Sequence, residues 1–262
     1  MTQRIFGGDG PLVIAALHLP DFALSRHRSV AWFEDYAVGN ARVFAEAGVP
    51  FLKLQDQTRT AGGATAETVA RLAALARLIR GEVPGIGLGI IVEAHDPVAP
   101  IVVAHAAGAD FVRLKVFVGG AMGAQGARHG LGAEAVAARA ALGAQGIAII
   151  ADVHDRTVRP LSDESQPEAA RWAAGTGADG LIVTGSSFDD TLARIAAVRE
   201  AGVSRPILIG GGVTEANVFE AMRAGDGVIV STALMRPDAD EDDVVRWDAG
   251  RCMRFMEAAR GG

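Results

Sequence analysis

A chain of 262 residues, half of them hydrophobic, is long enough to bury a sizeable core as one or two domains. Its net charge of -6, without any lysine/arginine block, argues against nucleic acid as the main partner. Cys252 is the only cysteine, which excludes an internal disulfide, and no apolar run approaches a membrane span.

Short apolar runs rich in Val, Ile and Leu predict strands near 12–18, 49–55, 87–94, 110–117, 147–153, 180–185, 206–210 and 227–231. Between them, alanine-rich stretches with helical spacing predict helices over about 30–47, 65–80, 97–107, 132–144, 166–176, 189–201 and 214–223. A last helix is expected over roughly 241–259. Ser165-Gln166-Pro167-Glu168 has capping-box spacing, and Thr65 and Thr214 are expected N-caps. Ala-Gly-Val at 47–49 and 201–203, Ala-Gly-Ala-Asp at 107–110 and Thr-Gly-Ala-Asp at 176–179 read as helix-to-strand turns. They form a structural half-repeat. Cys252 falls in the last helical pattern and reads as a small core residue.

Continuous apolar strands separated by amphipathic helices indicate parallel strands buried on both faces. Eight such units in about 250 residues predict one TIM-barrel domain over 1–262. The alternative, a doubly wound open sheet, needs a glycine loop after its first strand. Leu17-His18-Leu19-Pro20 stands there instead. Residues 1–10 do not resemble a signal peptide, so a soluble cytoplasmic protein is expected. The alanine-rich outer helices leave room for a homo-oligomer.

In such barrels the active site lies at the C-terminal strand ends. The period of two places Phe51, Lys53 and Gln55 on one face of strand two, and Ile91, Glu93 and His95 on one face of strand three. Strand four groups Phe111, Arg113 and Lys115; strand five groups Ile150, Asp152 and His154. Strand one adds His18, and strand six adds Thr184 and Ser186. In each strand the polar members come late and share one parity. Gly210-Gly211-Gly212 follows strand seven and Ser231-Thr232 follows strand eight, where barrels of this type bind phosphate through loop amides and a helix N-terminus.

Lys53 and Lys115 are the only lysines, against 23 arginines. Lysine is a compact charge whose pKa falls when it is buried, so two of them closing apolar runs point to a pocket. The pairs Glu93/His95 and Asp152/His154 carry ligand types that suit a divalent ion. Arg113 and Lys115 between them neutralise the carboxylates without one, so no cofactor is expected. His154 beside Asp152 is an acid/base candidate.

Ile150-Ala151-Asp152-Val153-His154 through Pro160-Leu161 resembles the "ADVH…PL" segment of the BtpA/SgcQ family. Leu181 to Gly185 resembles its "VIVTG", Ile209 to Asn217 its "VGSGVTPEN", and Asp226 to Leu234 its "DGVIVGTSL". Phe111-Val112-Arg113 resembles "FIRVN", and Ala16 to Pro20 resembles the start of "VHLxPLPGSP". The resemblance covers roughly residues 10–236 and is stronger in the second half. It implies a barrel with a C-terminal phosphate cradle and supports Asp152 and His154 as site residues. Lys115 stands where the family pattern has Asn, and Lys53 where it is apolar. Gln55-Asp56-Gln57-Thr58 replaces "ENxGDVPF". The lysines are therefore departures from the pattern.

The expected function is an enzyme acting on a small phosphorylated or carboxylated metabolite, by proton transfer or C–C cleavage beside a carbonyl, as a lyase or isomerase. Lys115 is cast as electrophile, general acid or Schiff-base amine, and Lys53 shares its pocket. Arg113 holds an anionic group or lowers the Lys115 pKa. Asp152 and His154 move protons, Glu93 orients, and His18 lies near. Gly211, Gly212, Ser231 and Thr232, with Thr184 and Ser186, bind phosphate. The alternative, which the family name implies, is a non-enzymatic assembly factor for photosystem I biogenesis. Its signature would be an exposed apolar patch, with Phe117 to Gly123 as candidate. That glycine-rich stretch also reads as a mobile loop closing over the site.

Overall fold

A computed structural model describes residues 4–58 and 62–261; residues 1–3 of the amino-terminal stretch read above lie outside them. Eight parallel strands close a barrel. They are β1 (Val13–His18), β2 (Phe51–Gln55), β3 (Gly87–Ile91), β4 (Phe111–Leu114), β7 (Ala148–Val153), β9 (Gly180–Val183), β10 (Ile207–Ile209) and β11 (Gly227–Val230). They close in the order β1-β11-β10-β9-β7-β4-β3-β2, which is the expected TIM barrel and excludes the open sheet. Each lies within the span predicted for it. The helices are α1 (Val30–Glu46), α2 (Ala66–Glu82), α3 (Ala99–Ala107), α4 (Gly132–Ala141), α5 (Gln166–Thr176), α6 (Phe188–Glu200), α7 (Val218–Ala224) and α8 (Ala249–Arg260). No helix among the described residues is long and apolar enough to cross a membrane.

Two buried layers result. One lies between strands and helices and takes in Cys252 of α8. The other fills the lower lumen with Ile14, Phe51, Phe111, Ala148, Ile150, Ile182, Leu208 and Ile229, closed from below by Ile5. β3 contributes glycines to this layer, because a Cβ on Gly87 would lie 1.9 Å from the Phe51 ring and one on Gly89 2.1 Å from the Phe111 ring. The aromatic rings occupy the volume that β3 vacates. Gly89→Ala is expected to destabilise by about 1–3 kcal/mol through overpacking. Urea unfolding should show a lower midpoint at unchanged slope, and Phe111→Leu on the same background should restore most of the loss.

The glycine-aspartate half-repeat is structural, as read. Asp110, Asp179 and Asp226 precede β4, β9 and β11 and accept the N–H of Leu88, Ile149 and Ile207 at 2.7, 2.8 and 2.7 Å. Each also binds an arginine from a helix: Arg80, Arg139 and Arg199 respectively. The same guanidinium groups donate to carbonyls of the helix-to-strand turns, Ile86, Ile147 and Arg205. A planar fork with several donors bridges carboxylate and carbonyl together, which an ammonium does poorly. This accounts for part of the arginine bias.

Three expectations are corrected. First, the stretch after β4 is not a loop. β5 (Gly120–Gly123) pairs antiparallel with β6 (Gly126–His129) and with β8 (Arg159–Pro160), a short strand that follows β7. Phe117 and Ala121 are buried and Met122 is half exposed, so Phe117 to Gly123 is no exposed apolar patch. Second, α7 begins at Val218. Asn217 takes the cap position, its Oδ1 accepting from the Thr214 N–H at 2.7 Å, so Thr214 is not the N-cap. Third, α8 begins at Ala249. The buried Asn40 of α1 holds residues 244–247 outside any helix: its Nδ2 donates to the Val244 carbonyl and its Oδ1 accepts from Arg246 N–H. Backbone committed to Asn40 cannot join a helical ladder. Thr65 and Ser165 are N-caps as expected, accepting from Thr68 and Glu168 N–H.

Candidate active site

A cavity of about 400 Å³ opens at the C-terminal mouth of the barrel. Its floor continues the lumen layer at Ala16 and Ile229. Above that floor the inward positions become polar: His18 from β1, Lys53 and Gln55 from β2, and Glu93 beyond β3. Arg113 of β4, Lys115 beyond it, Asp152 of β7 and Thr184 beyond β9 complete the ring. The parity argument therefore holds for all eight of these side chains.

They form one connected charge array. Arg113 grips Asp152 side-on, Nε to Oδ2 at 3.0 Å and Nη2 to Oδ1 at 2.9 Å. Lys115 Nζ lies 2.8 Å from both oxygens of Glu93. Gln55 Nε2 donates to Glu93 Oε1 at 2.5 Å, which turns its Oε1 toward Lys53 Nζ, a very close donor. Asp56 ties the ends of β2 and β3 together by accepting the Glu93 N–H at 2.8 Å.

Burial dominates the proton affinities here. Lys53, 2% exposed, is held well below the usual lysine range by burial first, then by the charges of Arg113 and Lys115. His18 is lowered to about 3, by burial first, then by Lys53, Arg113 and Lys115. Burial also raises the Asp152 carboxyl against the opposing pull of Arg113, and pushes Asp56 up to about 6. Near neutral pH the array thus holds a neutral imidazole on His18, and Lys53 loses its proton more readily than an ordinary lysine.

On the other side of the mouth stands the glycine turn. Gly210, Gly211 and Gly212 line the cavity together with Ser231, Thr232 and Thr184. The Gly210 N–H is used by the Val183 carbonyl, and Gly212 takes a positive φ of 75°. Asn217 pins the turn by donating to the Gly212 carbonyl at 3.1 Å. The Ser231 hydroxyl donates to the Ala16 carbonyl at 3.3 Å. Because α7 starts only at Val218, the Gly210 to Gly212 part of this wall is loop backbone, and the helical turn at the mouth is the 3-10 turn Thr232–Leu234, whose first residue and Ser231 before it line the cavity.

Sequence reasoning missed Arg156. It stands in the turn after β7 and lines the cavity, its Nη1 only 3.4 Å from where a Cβ on Gly211 would be. A loop arginine has no periodic pattern to betray it. Asp155 and Thr157, which bracket it, also line the mouth, Asp155 accepting from Thr157 N–H and Oγ1 at 3.0 and 2.8 Å. Gln57 was likewise unremarked.

Three expected residues lie elsewhere. His154 has a φ of 58° and does not line the mouth cavity. It turns into a narrow adjoining cleft of about 20 Å³ that Lys115, Asp152 and Asp155 also line, with Nε2 3.5 Å from Glu164 Oε1. The left-handed backbone ends the alternation that placed it beside Asp152. His95 binds the His129 carbonyl at 2.8 Å and packs edge-on to the His129 ring, fastening the β5–β6 hairpin to the rim. Ser186 is exposed and donates to Asp190. The four candidate metal ligands Glu93, His95, Asp152 and His154 therefore do not converge. Among the described residues no group of three or more His, Cys, Asp or Glu is placed to hold a metal ion.

Known proteins share the sequence pattern and the fold. A model of the BtpA family matches residues 11–261. An uncharacterized Thermococcus kodakarensis protein is 31% identical over 214 residues, 81% of this chain and 76% of the relative. The photosystem I biogenesis protein BtpA of Synechocystis is 30% identical over 178 residues, 67% of this chain and 61% of that protein. Among solved structures, phosphoribosyl anthranilate isomerase from Thermococcus kodakaraensis superposes with a TM-score of 0.57 at 15% identity, covering 96% of this chain and 100% of that one. A likeness at that identity is one of fold.

Proposed function

The chain belongs to the BtpA family, and on that premise we propose that it is an enzyme acting on a small phosphorylated metabolite. The reaction class is proton transfer or carbon–carbon cleavage beside a carbonyl, as in an isomerase or lyase. One observation carries the reading: a single cavity is walled on one side by a glycine turn under an arginine and on the other by a buried array of cations and carboxylates. Loop amides and the Arg156 guanidinium suit a phosphate. The array suits the reacting end, because charge developing on a carbonyl oxygen is stabilised most by fixed cations in a water-poor site. A phosphoribosyl anthranilate isomerase on the same fold gives the reading a parallel in reaction class.

The roles follow from position. Gly211, Gly212 and Arg156 hold the phosphate, with Thr184, Ser231 and Thr232 beside it. Arg113 and Lys115 face the developing oxyanion. Glu93 and Gln55 fix the lysines. Asp152 and His18 are the proton carriers, since His154 lies outside the cavity. This revises the expected pairing of Asp152 with His154.

Deuterium wash-in tests the reading. The protein is incubated in D₂O with a panel of phosphorylated aldoses, ketoses and 2-oxo acids, and exchange beside the carbonyl is followed by proton NMR. At least one phosphorylated compound should exchange or be cleaved. Arg156→Ala should raise KM about 10–100-fold, the equivalent of one charged hydrogen bond. If no compound reacts, and calorimetry finds no binding of inorganic phosphate, the reading is wrong.

A further inference from the structure

We propose that Lys53 is a covalent nucleophile whose Nζ condenses with the aldehyde or ketone group of an open-chain phosphorylated substrate. The inference rests on the reading of the mouth cavity as a phosphate-and-carbonyl site and names the substrate class more narrowly. A carbonyl locked in a ring or an ester would not serve.

The two lysines differ in what holds them. Lys115 faces both oxygens of Glu93 at 2.8 Å, so its ammonium has a complete counter-charge. Lys53 hydrogen-bonds an amide oxygen, that of Gln55; the Arg113 guanidinium and the Lys115 ammonium act on it more strongly than the Glu93 and Asp152 carboxylates, which pull the other way. Gln55 cannot turn to offer anything else, because its Nε2 is engaged by Glu93. An amide oxygen takes one N–H from a neutral amine and leaves the nitrogen lone pair free. A carboxylate in its place would hold the protonated form. The same surroundings that make Lys53 give up its proton more readily place its amine group on the wall of the cavity it lines.

The chemistry balances without a further reactant. The Nζ lone pair forms a bond to the carbonyl carbon, and the carbonyl oxygen takes a proton to give a carbinolamine. Loss of that hydroxyl as water leaves a carbon–nitrogen double bond. The proton shed by nitrogen ends on the departing oxygen, with the neutral His18 imidazole in the same cavity as carrier. A proton from solvent then gives the protonated imine, which accepts the electron pair from an adjacent C–H or C–C bond. The released proton passes to solvent, or the released fragment leaves as a carbonyl compound. Protonation at carbon restores the imine, and water hydrolyses it to return the amine and a carbonyl product.

A chain with two lysines makes the test direct. The intact protein is treated with pyridoxal 5′-phosphate, a phosphorylated aldehyde, then reduced with borohydride and mapped by peptide mass spectrometry. The fixed label should sit on Lys53 and be competed by inorganic phosphate. It should persist in Lys115→Met and fall to the amino-terminal background in Lys53→Met. Circular dichroism and melting establish that Lys53→Met is folded. It should melt no lower than the parent, because an apolar side chain replaces a buried amine. Label confined to Lys115 or the amino terminus but still competed by phosphate overturns the Lys53 assignment and leaves the anion site standing. Label on Lys53 that phosphate does not compete, and that Arg156→Ala does not weaken, overturns the anion-site reading instead. Absence of label at either lysine overturns the assignment.

Discussion

Arg113→Met is expected to destabilise the barrel by about 3–5 kcal/mol, because it strands a buried carboxylate. The Arg113 and Asp152 side chains are 14% and 4% exposed and share two hydrogen bonds, so water entering from the mouth replaces the guanidinium poorly. The remedy identifies the cause. Asp152→Leu on the same background removes the orphaned charge and should recover most of the loss, since a hydrophobic pair of similar volume is often as stable as a buried ion pair. Urea unfolding of the two singles and the double closes the cycle. Acid supplies an independent sign. Burial already raises the Asp152 carboxyl above its unfolded value, and losing Arg113 raises it further. A raised acid is more stable in its protonated form, so Arg113→Met should regain stability as pH falls, relative to the parent. If the double variant were no more stable than the single, the pair would not be the source of the loss. The double variant is expected to be folded and inactive, which separates what Arg113 does for the fold from what it does for the substrate.

The fold was legible because a barrel repeats itself. Apolar runs such as Ala148 to Val153 and Leu181 to Val183 are buried on both faces, and nothing but a parallel sheet does that to eight segments in turn. Strand parity alone puts Lys53, Arg113, Lys115, Glu93 and Asp152 on one inner surface. It failed where a strand stops. His154 lies one residue past β7, and its left-handed backbone points it under the small sheet. His95, four residues past β3, is drawn to the His129 carbonyl. The small sheet itself was invisible, since Gly120 to His129 has neither alternation nor β-branched residues. Its strands exist because the barrel rim holds them. Arg156 was hidden for a related reason: a loop residue acquires its role from a neighbour distant in sequence, here Gly211. The lysines show the limit most clearly. Their rarity and parity named both, but only their partners tell them apart, and Gln55 and Glu93 are brought to them by the fold.

Those partners also set an acid response that two substitutions should expose. The His18 pKa is lowered from 6.5 in the unfolded chain to about 3. Between those values the unfolded state binds a proton that the folded state refuses, so this contribution is complete above pH 6.5 and is lost as pH falls. Asp56 behaves oppositely. Its pKa is raised from 3.8 to about 6, so the folded state holds a proton that the unfolded state has released, and stability falls as pH rises through that window. Each unit corresponds to about 1.4 kcal/mol, so from pH 6 to 4 each group changes stability by about 3 kcal/mol, in opposite directions. In the parent the two changes nearly cancel. His18→Gln leaves Asp56 unopposed and should gain about 3 kcal/mol relative to the parent between pH 6 and 4. Asp56→Asn preserves an acceptor for the Glu93 N–H but does not titrate, and it should lose a similar amount over the same interval. Denaturant melts at several pH values measure both slopes against the parent, so carboxylates common to all three proteins drop out of the difference. If His18→Gln gained nothing relative to the parent over this interval, the His18 imidazole would not be held neutral by its burial and by the lysines and Arg113 around it.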